Sequence, residues 1–315
     1  MKGVCCVLLK LLFFRDRRCP TQTPQYEFMK PPVFSYYRPR SLEDALGLLA
    51  EHGFDAKVIA GGQSLVPMMN MRLAQPAHLV DLNALSQLTG ISRVDDTLSV
   101  GALTRHHEVA TSVLVRSACP LLADAARTIG HYAIRQRGTL GGSIANADPA
   151  AQLPLIARTL NARVEVAAPG VKREIAAADF LLAAMTTTLE PHEIVTAVHF
   201  PCARPGERHG FELFSRRTGD FAIAASAVTL VVEVGRIWNL RIGLGGIGDV
   251  PITLDDVARD FEGAWADAAT ITRIGECAAA AADPTGQQGM SAAYRRDLIN
   301  ALTTRALMRA SGLAE

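Results

Sequence analysis

Two pairs of adjacent glycines constrain this chain more than any other feature. The first lies in Ala60-Gly61-Gly62-Gln63-Ser64 and the second in Thr139-Leu140-Gly141-Gly142-Ser143. Glycine has no Cβ, so it admits positive φ and lets a backbone approach a ligand closely. Where a turn opens a helix, the N–H groups of the turn and of the first helical residues can converge on an anion. The first pair follows Lys57-Val58-Ile59-Ala60, a short β-branched strand, and Ser64 is placed to cap a helix that tolerates Pro67 in its first turn. In the second, the hydroxyls of Thr139 and Ser143 flank the glycines. Two such loops can hold one diphosphate between them, since a ligand with both charges shielded from water needs many donors.

Neither loop has the spacing of a phosphate-binding ATPase loop or of a dinucleotide fingerprint. That fingerprint spacing occurs instead at Gly243-Leu244-Gly245-Gly246-Ile247-Gly248, with Pro251 close behind. A genuine fingerprint opens a helix, so the run is expected to be a strand ending in a glycine-rich turn.

Around the first loop, Ser41 to Gly53 reads as a capped helix, with Ser41 as N-cap, Asp44 at the capping-box position and Gly53 at the C-terminal turn. Strands are expected at 57–60, 78–82 and 98–102, helices at 105–112 and 113–129 with a break at Pro120, and strands at 163–166 and 193–200. Asp148-Pro149 is a helix-start signal, and that helix should reach Ala162 with a kink at Pro154. Pro201 to His209 is the best linker candidate. Beyond it come two strands, 222–234 and 237–244, joined at Gly235-Arg236, then helices at 254–264, 268–282 and 291–310. The expected organisation is an extension over 1–28, a first domain over 29–205 in two parts (29–85 and 86–205), and a second over 206–315. The fold class is α+β.

Charge excludes two partner classes. With 32 basic and 31 acidic side chains the net charge is +1, which gives no general attraction to nucleic acid or to an anionic membrane. The apolar stretch from Val4 to Phe14, interrupted by Lys10, is too short to span a bilayer, so no stable membrane insertion is expected. Cysteines at 5, 6, 19, 119, 202 and 277 have no metal or cluster spacing, and fit a reducing compartment; a cytoplasmic location follows.

Taken together, the segments Val58 to Pro67 and Arg135-Gln136-Arg137-Gly138-Thr139-Leu140-Gly141-Gly142-Ser143-Ile144-Ala145-Asn146-Ala147-Asp148-Pro149 resemble the FAD subunit of molybdenum hydroxylases such as carbon monoxide dehydrogenase and xanthine dehydrogenase. Phe214 to Ala222 and the turn at 244–248 extend the likeness towards the C-terminus. The resemblance implies a two-part FAD-binding domain of the vanillyl-alcohol-oxidase (PCMH) type. A CO-dehydrogenase-flavoprotein-like C-terminal domain of three strands and a helical bundle should follow it. It implies that Ala60, Gly61, Gly62, Gln63, Ser64, Thr139, Leu140, Gly141, Gly142 and Ser143 hold the FAD diphosphate and ribityl chain non-covalently, with Leu65 close by and the backbone of Val195 in contact. Gln152 stands where relatives usually carry Asp or Glu, which keeps an acceptor and loses a charge. Leu213 stands where many relatives have a lysine near the flavin. The resemblance also implies partners: a small two-iron two-sulfur subunit, a large molybdopterin subunit, assembly as a dimer of heterotrimers, and an external electron acceptor.

Two other functions remain open at this point, a self-contained flavin oxidase of the same fold and an assembly subunit without flavin. Several polar groups have plain readings beside chemical ones. Adjacent His106 and His107 point about 100° apart on a helix and suit a solvated face better than one metal ion. His131-Tyr132 can approach the flavin or simply pack, Arg135 and Arg137 can face a phosphate or an interface, and Arg216-Arg217 can pair with Asp220.

Overall fold

The computed structural model describes residues 30–284 and 290–313; the extension expected over 1–28 lies outside them. The first lobe consists of β1 (Ser35–Tyr37), α1 (Leu42–His52), β2 (Ala56–Ile59), α2 (Leu65–Asn70) and β3 (His78–Asp81). Its three strands form a parallel sheet in the order β1-β3-β2. Ser41 caps α1 as expected, its Oγ accepting from the Asp44 N–H at 3.0 Å, and Ala45, Leu46 and Leu49 are the residues the helix buries. Ser64 behaves differently: its own backbone is helical and its hydroxyl makes no cap bond.

The second lobe begins with β4 (Ile91–Val94) and β5 (Thr97–Gly101) and continues through α3 (His106–Thr111), α4 (Val113–Ala118), α5 (Pro120–Arg127), α6 (Tyr132–Arg137), α7 (Leu140–Asn146) and α8 (Gln152–Thr159). It closes with β6 (Arg163–Ala168), β7 (Val171–Ala176), α9 (Ala177–Phe180), β8 (Leu181–Ala183), β9 (Thr186–Thr187) and β10 (Ile194–Pro201). Five of these strands form an antiparallel sheet, β4-β5-β10-β6-β7. Leu98, Leu122, Leu153, Phe180 and Phe200 lie in the core cluster at its centre. β7 is absent from the expected strands because its first four residues are exposed and carry Lys172, Arg173 and Glu174, which erases the period-two pattern. Helix α8 starts three residues after Pro149, not at it. The Asp148 carboxylate instead accepts from the Ala150 N–H at 2.9 Å and closes a turn. Pro154 then falls in the first helical turn, where a missing N–H breaks no bond, so it makes no mid-helix kink.

The third lobe is β11 (Glu207–Phe214), β12 (Ala224–Glu233), β13 (Arg236–Gly245), β14 (Ile252–Thr253), α10 (Asp255–Asp260), α11 (Ala268–Ala281) and α12 (Ala292–Ser311). Its antiparallel sheet runs β11-β12-β13-β14, so a two-residue fourth strand joins the three expected ones. The segment read as a linker is partly strand: β10 continues to Pro201 and β11 begins at Glu207. The hairpin turn is Val234-Gly235, both with positive φ, one residue earlier than expected. At Gly243–Gly248 the strand ends at Gly245 and turns at Gly246 without opening a helix. This sheet packs on α8, where a Cβ at Gly243 would lie 1.8 Å from the Thr159 hydroxyl. Among the described residues no helix is long and apolar enough to cross a membrane.

Candidate functional site

Strand β2 delivers Ala60 to the first loop, and Gly62 turns the chain with φ +71°, a conformation that favours glycine. The Gln63 amide Nε2 donates to the Gly61 carbonyl at 2.9 Å, the Val66 N–H to the Gly62 carbonyl at 3.1 Å and the Met68 N–H to the Ser64 carbonyl at 3.1 Å. Among the described residues, no protein acceptor takes the N–H groups of Gly62, Gln63, Ser64 and Leu65. Four neighbouring donors without protein partners form an anion-binding nest.

The second loop is built the other way. Thr139 is the N-cap of α7, and its Oγ1 accepts from the Gly142 N–H at 3.1 Å. The Leu140 N–H donates to the Thr104 carbonyl at 3.0 Å, that of Gly141 to the Ala102 carbonyl at 2.8 Å, and that of Ser143 to the Thr139 carbonyl at 3.0 Å. The expectation of two equivalent sets of N–H donors is therefore corrected: those from Leu140 to Ser143 are consumed inside the protein. Gly141 is buried, and a Cβ there would meet the Ala102 Cβ at 2.4 Å. Gly142 is exposed, and a Cβ there would meet only its own cap, Thr139.

The loops touch. A Cβ on Gly61 would come to 2.3 Å from the Arg137 carbonyl oxygen and 2.8 Å from the Gly138 Cα, so only glycine lets the two segments meet. His106 supports the contact from beneath: its Nε2–H donates to the Thr139 carbonyl at 2.8 Å, and its backbone N–H to the Gly138 carbonyl at 3.0 Å. Burial pushes the imidazole down to about 4, helped by the nearby Arg105 and Arg135 cations and opposed by the Thr139 hydrogen bond. It is neutral at physiological pH and buried, which corrects the reading of a solvated face.

A narrow cleft of about 80 Å³ opens between the loops, lined by Ala60 from one, Gly141 and Gly142 from the other, and apolar residues including Leu82, Leu103 and Val195. Glu193 lies in its wall. Burial opposes ionisation of that carboxylate, but hydrogen bonds from Arg173 (2.9 and 2.7 Å) and the Glu190 N–H hold it below the usual range. Two observations at this junction suit a slender ligand carrying phosphate: the unpartnered donors that follow Ala60, and the space at Gly142 that a side chain would enter; the cleft wall itself is apolar apart from Glu193.

Residues 32–203 match the family model described as the FAD binding domain in molybdopterin dehydrogenase. The chain belongs to that family of FAD-binding subunits. Residues 209–310 match the CO dehydrogenase flavoprotein C-terminal domain. This flavoprotein subunit is 39% identical to the 6-hydroxypseudooxynicotine dehydrogenase complex subunit alpha of Paenarthrobacter nicotinovorans, over 90% of this chain and 96% of that one. It is 33% identical to the carbon monoxide dehydrogenase medium chain of Afipia carboxidovorans, over 91% of this chain and all of the relative. Its structure superposes on a chain of carbon monoxide dehydrogenase from Hydrogenophaga pseudoflava with a TM-score of 0.87 at 32% identity, covering 91% of this chain and 100% of that chain. Like these relatives it is a component of an oxidoreductase.

In this FAD-binding subunit Ala60, Gly141, Gly142 and Val195 line one cleft, and Gly61 packs on the segment just before the second loop; Gly62 to Leu65, Thr139, Leu140 and Ser143 do not line the cleft. Gln152 is buried at the start of α8 and does not line the cleft. Leu213, His131, Tyr132, Arg135, Arg216 and Arg217 surround a second, wider cleft of about 690 Å³ between the segment before α6 and the segment after β11. Tyr132 meets His107 edge-on, with ring centroids 5.4 Å apart, and Gly219 lies against the His131 ring. Arg135 is spent on the carbonyls of Ile129 and Gly130. Asp220 donates its N–H to the Arg217 carbonyl, and among the described residues it forms no ion pair with either arginine. Asp81, Asn83 and Arg105, polar residues that pattern and motif reading passed over, lie at the junction of the loops.

Proposed function

We propose that this chain is the electron-transferring FAD subunit of a heteromeric molybdenum hydroxylase, with the diphosphate seated between the two glycine loops. The observation that carries this reading is the group of N–H donors from Gly62 to Leu65 that have no protein partner among the described residues, beside a second loop whose N–H groups are all bonded, in a chain of an FAD-binding family. The first loop binds charge. The second supplies a stiff wall, with Thr139 holding Gly142 in place and Gly142 leaving room for the ligand. Val195 closes the apolar side with its backbone in reach, whereas Gln152 is buried at the start of α8, outside the cleft lining.

When bound, FAD can accept electrons one at a time and release two together. The protein's task is placement, and its own residues supply no cluster or molybdenum ligand set in this reading. Electrons enter from a small subunit carrying two-iron two-sulfur clusters, which receives them from a large molybdopterin subunit, and they leave to an external acceptor. The assembly is a cytoplasmic dimer of heterotrimers. The division into 29–205 and 206–315 separates the cofactor-holding part from a second part that packs on α8.

The test is direct. Purified full-length chain mixed with FAD should quench flavin fluorescence, retain the yellow colour through gel filtration and co-purify with its partner subunits when the three are expressed together. A colourless protein that rejects FAD overturns the reading. Substrate turnover by the isolated FAD-loaded chain would favour a self-contained oxidase instead.

A further inference from the structure

Between the loops runs a chain of polar contacts that neither glycine motif contains. Asn83, two residues beyond β3, donates from Nδ2 to the Ala60 carbonyl at 2.8 Å, fixing the entry to the first loop. Its own position is set by Asp81, whose carboxylate accepts from the Asn83 backbone N–H at 2.9 Å and from the Tyr36 hydroxyl. Arg105 then donates from Nη2 to the Asn83 Oδ1 at 2.7 Å and from Nη1 to the Arg137 carbonyl at 2.6 Å. That carbonyl is the one against which Gly61 packs. The Arg105 backbone forms an antiparallel bridge with Thr139 as well.

We propose that Arg105 is a positioning residue for the cofactor: its guanidinium ties Asn83, which holds the Ala60 carbonyl, to the Arg137 carbonyl just before the second loop, and so sets the separation at which the loops close on the FAD diphosphate. The proposal rests on the FAD site proposed above. A planar fork suits this task, because two acceptors on different segments are held by two N–H vectors of fixed relative direction. A lysine in its place carries the same charge on one rotatable ammonium and does not reproduce that geometry. Arg105 therefore acts through Asn83 and Arg137, and touches no reacting atom.

The experiment compares full-length wild type, Arg105→Met, Arg105→Lys, Asn83→Ala and the Asn83→Ala/Arg105→Met double variant by FAD titration, visible circular dichroism of the bound flavin, and thermal unfolding of the apoprotein. Loss of a charge-assisted bridge predicts that Arg105→Met weakens FAD binding by about 10- to 100-fold. Arg105→Lys should weaken it nearly as much. Asn83→Ala combined with Arg105→Met should fall short of the product of the single effects, since both break one bridge. The dichroism of flavin still bound at saturation should change, which a general loss of stability does not produce. If the methionine variant does not fold, the lysine variant carries the test. Wild-type affinity in either folded variant overturns the proposal, and full rescue by lysine would reduce Arg105 to a source of charge. A wild-type chain that fails to bind FAD overturns the underlying site assignment instead, so the two failures are told apart.

Discussion

In the first loop Gly62 takes φ +71° and the next three N–H groups, with its own, stay unpartnered; in the second, Thr139 caps its helix and every N–H from Leu140 to Ser143 is bonded within the protein. The same dipeptide thus meets two physical needs. Gly62 supplies a backbone conformation, and donors follow from it. Gly141 supplies closeness, letting α7 lie against Ala102, and its neighbours have no donors to spare. Unpartnered donors and rigidity are divided between the loops, and Gly61, pressed on Arg137, joins the first to the segment before the second.

Breaking the junction should have the largest effect. Gly61→Ala places a methyl 2.3 Å from a carbonyl oxygen and against backbone that cannot rotate away. Overpacking of this kind costs about 1–3 kcal/mol of stability. The loops must separate to admit it, so FAD affinity should fall by more than about 100-fold, equivalent to about 2.7 kcal/mol or more. Fluorescence titration alongside urea unfolding measures both, and an unchanged affinity would show that the contact does not set the site.

The support beneath the second loop is sharpened by pH. His106 has a folded-state value near 4 against 6.5 when unfolded, so the unfolded chain binds the extra proton between these values. Its contribution to stability is complete above about pH 6.5 and is lost as pH falls towards 4. At about 1.4 kcal/mol for each unit, the loss is roughly 2–3 kcal/mol. His106→Gln keeps a donor for the Thr139 carbonyl and has no such titration. Urea midpoints from pH 7 to 4.5 should decline for wild type and flatten for the variant, and parallel curves would refute the assignment.

Much of this site was legible before the fold was known, because glycine pairs, caps and β-branched runs are local signals. Ser41 capping α1, the glycine-rich turn after β13 and the placing of both loops together came from such signals. Asn83, Arg105 and His106 did not announce themselves. Their partners lie 22 to 33 residues away, and no periodicity or spacing encodes contacts between segments that meet only in the folded chain. The inequality of the loops was hidden for the same reason: the acceptors that consume the Leu140 and Gly141 donors are Thr104 and Ala102, just beyond the end of another strand. β7 escaped because its exposed face is charged on consecutive residues.

Hydroxyls separate the loops on a smaller scale. Thr139→Val leaves the Gly142 N–H without its cap and should cost about 1 kcal/mol of stability. Ser64→Ala removes a hydroxyl that caps nothing and should stay within about 0.5 kcal/mol. Equal losses in urea unfolding would erase the distinction between a capped wall and an uncapped nest.

A small effect on stability, and the cleanest on binding, belongs to Gly142→Ala. The new Cβ meets only the Thr139 hydroxyl, at 2.7 Å, so the cap is weakened, by about 1 kcal/mol at most. Alanine in a helix returns about the same amount. Net stability should therefore move by less than about 1 kcal/mol. The methyl nevertheless enters the open side of the loop, where the proposed site seats the diphosphate, and on that proposal FAD affinity should drop by about tenfold or more. A variant as stable as wild type that binds FAD poorly would identify the exposed face of Gly142 as a cofactor surface. Wild-type affinity would leave the second loop a structural wall, with recognition resting on the nest from Gly62 to Leu65.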